Sequence, residues 1–166
     1  MNLTIDIGNT RTKIALFNGE TFVREEKFEN TDAEHLLNVV KEKKAEGLAF
    51  CSVAAENPLL VEALKQLPYP VLEVKGTTPA PVTVAYRTPE TLGADRLAAV
   101  VGAVTLKPQT DLLVVDAGTC ITYDFVDAAG NYLGGNISPG VEMRLEALHN
   151  CTARLPRIEA DGDTPD

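Results

Sequence analysis

Apolar residues fall on alternate positions at Leu3, Ile5 and Ile7 and again at Ile14 and Leu16. Alternation of this kind predicts half-buried strands. Gly8 and Asn9, between the two runs, tolerate the backbone angles of a tight turn. Asn18-Gly19 is a two-residue turn signal and leads to a third strand, about Thr21 to Phe28. The period then lengthens. Thr31-x-x-Glu34 is a capping box, and Ala33, Leu36, Leu37 and Val40 share one helical face. Lys41, Lys43 and Lys44 suit the end of that helix, and Gly47 stops it. Leu48 to Ala54 is short and apolar on both faces, as a buried strand should be. Asn57-Pro58 caps a helix striped by Leu60, Val61, Leu64 and Leu67. Pro68 to Pro70 ends it before a strand at Val71 to Val74.

Gly76 to Pro81 reads as a loop that, with Val82–Ala85, carries the chain to Tyr86. From about Pro89 to Leu106 the pattern predicts one helix, with Thr88 as N-cap and Pro89 at its first position. Its Leu97 to Val104 stretch is apolar all round, which calls for burial on more than one face, between two lobes or in a subunit contact. Lys107-Pro108 ends it. Strand, turn, strand, turn and strand then recur, the last at Tyr132 to Ile137, and Ser138-Pro139-Gly140 opens a helix bearing Val141, Leu145 and Leu148. The tail from Asp161 is polar.

The recurrence carries the functional signal. Asp6, Gly8 and Thr12 match Asp116, Gly118 and Thr122, each pair 110 positions apart. One strand–Asp-x-Gly–strand unit could be an ordinary hairpin whose Asp caps a strand end. Two in equivalent places favour phosphate binding, because such turns present unclaimed backbone N–H groups beside Thr10, Thr12 and Lys13. Asp6 and Asp116 would then bring two carboxylates near the phosphates, which requires cations between them. Partly hydrated magnesium suits that setting.

Composition narrows the field. With 45% hydrophobic and 23% charged residues the chain is an ordinary soluble globular protein. A net charge of −9 argues against a nucleic-acid partner but not against a nucleotide ligand. No charged-then-apolar leader opens the chain, and Leu97–Leu106 is too short to span a bilayer, so no membrane association is expected. Cys51, Cys120 and Cys151 are odd in number, without metal-site spacing, and fit a reduced, cytoplasmic setting. Cys120 reads as a small buried residue. His35 and His149 read as surface or structural residues.

Paired Asp-x-Gly hairpins resemble the acetate and sugar kinase, heat-shock ATPase and actin superfamily. Four segments narrow the resemblance to type III pantothenate kinase: Asp6-Ile7-Gly8-Asn9-Thr10, Tyr86 to Arg96 with its Gly93-Ala94-Asp95-Arg96, Asp116-Ala117-Gly118-Thr119, and Gly134-Gly135-Asn136-Ile137-Ser138-Pro139-Gly140. The resemblance implies an α/β fold of duplicated ribonuclease H-like lobes with mixed sheets. The expected division is residues 1–107, ending in an interlobe helix, and 108–166, an incomplete second lobe in a truncated and inactive form. It implies phosphoryl transfer from ATP to pantothenate in coenzyme A biosynthesis. Asp6, Ile7, Gly8, Asn9, Thr10, Arg11, Thr12 and Lys13, with Gly118 and Thr119, would hold the ATP phosphates. Tyr86, Gly93, Ala94, Asp95 and Arg96 would bind pantothenate, with Asp95 as catalytic base. Asp116 would hold a monovalent cation, potassium or ammonium, and Asp6 a magnesium ion. The Gly134–Gly140 segment would serve a homodimer.

Simple chemistry agrees with these roles. An alcohol attacking a phosphate needs positioning, charge neutralisation and a proton acceptor. Asp95 beside small Gly93 and Ala94 can supply the last, and Arg96 offers a fixed fork for an anion. Two alternatives stay open: a kinase or phosphatase acting on a sugar, polyphosphate or other small substrate, and a nucleotide-sensing regulator without kinase activity.

Overall fold

The structure, a computed structural model, describes residues 1–8, 11–29, 33–43, 45–52 and 58–160. Asn9, Thr10, the capping Thr31, Lys44, the end of the Leu48–Ala54 run, the Asn57 cap and the polar tail lie outside the described residues. The chain divides into two compact units, Met1–Pro79 with Thr88–Ala98 and Ala80–Arg87 with Ala99–Asp166.

The first unit is built on β1 (Asn2–Ile7), β2 (Arg11–Asn18), β3 (Thr21–Glu29), β4 (Gly47–Ser52) and β5 (Val71–Glu73), with α1 (Ala33–Glu42) and α2 (Pro58–Lys65). Its sheet runs β3-β2-β1-β4-β5. The hairpin strands pair antiparallel, whereas β1–β4 and β4–β5 are parallel. This is a mixed sheet with helices against it, of the ribonuclease H-like kind that the family resemblance implies. Gly19 turns β2 into β3 at φ +58°, a left-handed angle that costs glycine little. Alternation puts Leu3, Ile5, Ile7, Ile14 and Leu16 on one sheet face, where Leu36 and Val40 of α1 and Leu60 and Leu64 of α2 join Leu48 and Phe50 in a single core. Each such side chain contributes about 1.5–3 kcal/mol by leaving water. The opposite face is left free to carry polar groups.

The long helix expected from Pro89 is interrupted. Pro89–Thr91 forms a 3-10 turn capped at Thr88, Leu92 is extended at φ −68° and ψ 128°, and α3 begins only at Ala94 and runs to Leu106. The cause is tertiary. Leu92 is buried, and Gly76 lies so close that a Cβ there would meet the Leu92 carbonyl oxygen. Breaking the helix puts Asp95 in the first turn of α3 instead of its middle.

The second unit holds β6 (Thr83–Val84), β7 (Leu112–Ala117), β8 (Cys120–Val126), β9 (Asn131–Pro139) and α4 (Val141–Asn150). Its sheet runs β6-β9-β8-β7, antiparallel except for the β6–β9 pair. Val82–Ala85, expected as part of a connection, thus supplies an edge strand. Val126, Tyr132 and Asp124 are buried, whereas Leu113, Val115 and Phe125 are exposed and α4 buries none of its residues. Ser138 and Pro139 end β9, and Gly140 caps α4. No helix among the described residues is long and apolar enough to cross a membrane.

Candidate functional site

Strand register assembles the first part of the site. Asp6 lies opposite Lys13 of β2 on one side and Cys51 of β4 on the other. All three project from the sheet face away from the core. Lys13 Nζ is 3.6 Å from Asp6 Oδ2, and Cys51 Sγ donates to Asp6 Oδ1 at 3.6 Å. With Glu25, Ala49 and Ala98 they line a cavity of about 320 Å³. Below it, Gly8 N–H donates to the Arg11 carbonyl at 3.0 Å and closes the turn.

Burial pushes the Cys51 thiol up to about 12, with further upward contributions from the charges of Asp6 and Asp95 and only a partial offset from Lys13. A thiol held protonated is a poor nucleophile. Alkylation of the native protein near pH 8 is therefore expected to modify the exposed Cys120 and Cys151 and to spare Cys51, as peptide mass mapping would reveal. Equal labelling of all three would contradict the buried, neutral thiol.

Asp95 belongs to the same unit and acts electrostatically on the same thiol. Its Oδ1 is shielded from solvent and has no hydrogen-bond partner among the described residues. A buried acceptor left unpaired is costly, and the Tyr69 hydroxyl is in the same condition. Gly93 makes room for Asp95, since a Cβ there would meet its Oδ1. Ala94 and Arg96 are buried beside it.

In the second unit, Asp116, Gly118 and Thr119 are exposed around the turn between β7 and β8. Gly118 N–H donates to the Cys120 carbonyl at 2.9 Å. Gly140, at the end of the Gly134–Gly140 segment, backs this turn. Its N–H donates to the Thr119 carbonyl at 2.9 Å, and a Cβ on it would meet the backbone oxygens of Gly118 and Thr119. Tyr86, half-buried, stacks on Tyr132 with ring centroids 6.5 Å apart, and Tyr132 donates its hydroxyl proton to buried Asp124 at 2.5 Å.

The structure also locates the other residues that the sequence singles out. Thr12 faces the core, 3% exposed, on the side opposite Asp6 and Lys13, because alternation from Ile14 and Leu16 carries it there. The repeat is also inexact in three dimensions. Thr12 pairs with Ile7, but Thr122 pairs with Asp116, because the second turn is one residue shorter. Lys13 and Thr122 are the structural counterparts. Cys120, expected as a small buried residue, is exposed where it opens β8 beside the turn. His35 stacks edge-on against Phe28, and His149 Nδ1 is 2.9 Å from the Leu155 carbonyl, both structural contacts. Sequence reasoning did not find the Cys51–Asp6 contact or the support behind Tyr86. Aligning β4 in parallel with β1 would have placed Cys51 opposite Asp6. No local signal exists for the Tyr132–Asp124 pair.

A family model described as type III pantothenate kinase matches residues 2–165. The chain is 49% identical over 166 residues to a type III pantothenate kinase of Bacteroides fragilis, spanning 100% of this chain and 68% of that relative. Identity is 46% over 165 residues to the protein so named in Phocaeicola vulgatus, covering 99% and 68%. It is 41% over 170 residues to the one in Porphyromonas gingivalis, covering 99% and 67%. Among solved structures, a Baf family protein of Campylobacter jejuni is similar in fold, with a TM-score of 0.59 at 24% identity over 99% of this chain and 68% of that one.

Proposed function

The chain belongs to the type III pantothenate kinase family, and from that premise we propose that it transfers the γ-phosphoryl group of ATP to the hydroxyl of pantothenate, in the synthesis of coenzyme A. The observation that carries the chemistry is the unpaired, solvent-shielded Oδ1 of Asp95 in the same unit as the Asp6–Lys13 pair. Asp95 accepts the proton of the attacking alcohol. The Gly8 and Gly118 turns and the Thr119 hydroxyl orient the phosphates, with Lys13 as a cation beside them. Arg96, buried beside Asp95, would bind the pantothenate carboxylate through its guanidinium fork. Tyr86 forms a wall for the substrate.

No group of three or more potential metal ligands occurs among the described residues. Asp6, a carboxylate partly open to the cavity, would hold a magnesium ion in this reading. Held there, magnesium would supply neutralisation of the charge on the transferred phosphoryl group. Asp116, exposed at its turn, would hold potassium or ammonium. The protein acts as a cytoplasmic homodimer in this reading, the Gly134–Gly140 segment contributing to the contact.

The test, made on a protein of the full length of these relatives, is ADP release with and without pantothenate, together with detection of 4′-phosphopantothenate. Pantothenate-dependent release of ADP is expected. Nucleotide binding without a phosphorylated product would favour the sensing regulator instead. Exchange of sodium for potassium or ammonium should raise the rate, and Asp116→Asn should blunt that response. Identical rates in all three salts would remove Asp116 from the cation role.

A further inference from the structure

We propose that Cys51 is a positioning residue that orients the Asp6 carboxylate towards the nucleotide and its cation. The inference rests on the reading of Asp6 given above. It starts from register: β1 is flanked by β2 and β4, so Asp6 has one neighbour on each side in the same row of the sheet. Lys13 approaches Oδ2 at 3.6 Å and Cys51 approaches Oδ1 at 3.6 Å. The two contacts differ in firmness. The Lys13 side chain is 45% exposed, on a flexible stem, and can swing away to meet a phosphate. Cys51 is 7% exposed, on a short side chain in the interior strand β4, and has nowhere else to go.

The chemistry of the donor matters as much as its place. Asp6, Glu25 and Cys51 line one cavity, and the charge of Asp95 is felt at the same thiol. A second fixed cation here would neutralise Asp6 and compete with any cation it should hold. An uncharged S–H donor fixes the plane of the carboxylate, leaves its charge intact and occupies only one of its lone pairs. Cys51 thus acts through Asp6 and touches neither substrate nor the transferred group.

The experiment is calorimetric binding of a magnesium complex of a non-hydrolysable ATP analogue to four single variants and one double variant. Cys51→Ala and Cys51→Val lose the donor and should each weaken binding by about 5-fold, the scale of one weak hydrogen bond to a charged acceptor. Cys51→Ser keeps a donor and should stay within about 2-fold. Asp6→Asn should weaken binding more than any of these. In the Asp6→Asn background, Cys51→Ala should add nothing further, since coupled residues are not additive. Thermal melting separates a packing role, which would lower the melting temperature of Cys51→Ala and leave affinity unchanged. That pattern, or equal losses from Cys51→Ala in both backgrounds, would overturn the proposal while Asp6 kept its role. If Asp6→Asn binds as well as the parent, the reading of Asp6 fails and the positioning role falls with it.

Discussion

Asp95→Asn is expected to lower turnover by roughly 10²–10⁴-fold, the usual worth of a general base, with nucleotide affinity within a few-fold of the parent. The substitution keeps size and most hydrogen-bonding capacity, so the loss isolates basicity. Asp95 receives the proton as the alcohol oxygen bonds to phosphorus. The local geometry is suited to this: Oδ1 is shielded and unpaired, and Gly93 leaves it space. Steady-state kinetics with saturating ATP is the measurement. Turnover within a few-fold of the parent would exclude Asp95 as the base. Arg96→Ala is expected to act differently, raising the KM for pantothenate more than it lowers turnover.

The second large effect concerns Gly140. Gly140→Ala should cost about 1–3 kcal/mol of stability, the range for forcing extra volume into a packed position. The new methyl group would press on two backbone oxygens, which cannot swing aside as a side-chain tip can. Relief must come from movement of the Gly118-Thr119 turn, so weaker nucleotide binding should accompany the lower melting temperature. Gly102→Ala is the control. Nothing lies within 4 Å of a Cβ at that helical position, and replacing a helical Gly should raise stability by about 0.5–1 kcal/mol. A Gly140→Ala protein that melts with the parent and binds nucleotide normally would show that the turn does not depend on this contact.

Local pattern carried most of the first unit. Alternation at Leu3, Ile5 and Ile7 and the helical stripe at Leu60 and Leu64 are properties of a few neighbouring residues, and both survive unchanged in the core. What was not legible depends on residues distant in sequence. The break at Leu92 exists because Gly76 packs on it, and nothing within the apparent helical run announces that. Val82–Ala85 looked like connection because two residues of strand gain their identity only from pairing with β9. The two turns were visible as a repeat through Asp and Gly. Their unequal length appears only in register, which sets Lys13 and not Thr12 opposite Asp6 and matches Lys13 with Thr122. The Gly134–Gly140 segment shows the same limit. The resemblance supplied a role in subunit contact, whereas the backing of Thr119 by Gly140 needed coordinates.

The pairing of β6 with β9 also bears on how the chain acquires its shape during synthesis. Thr83 meets Asn131, 48 positions later. A ribosome adding roughly 5–20 residues per second leaves β6 without its partner for about 2–10 s after it is made. The hairpins β7–β8 and β8–β9 join neighbouring segments and can close as they emerge, but β6 must wait for the last of them. Tyr86 waits with it, because Tyr132, the ring it stacks on, lies in β9. The Tyr86 ring, proposed above to contact substrate, is therefore fixed late in synthesis.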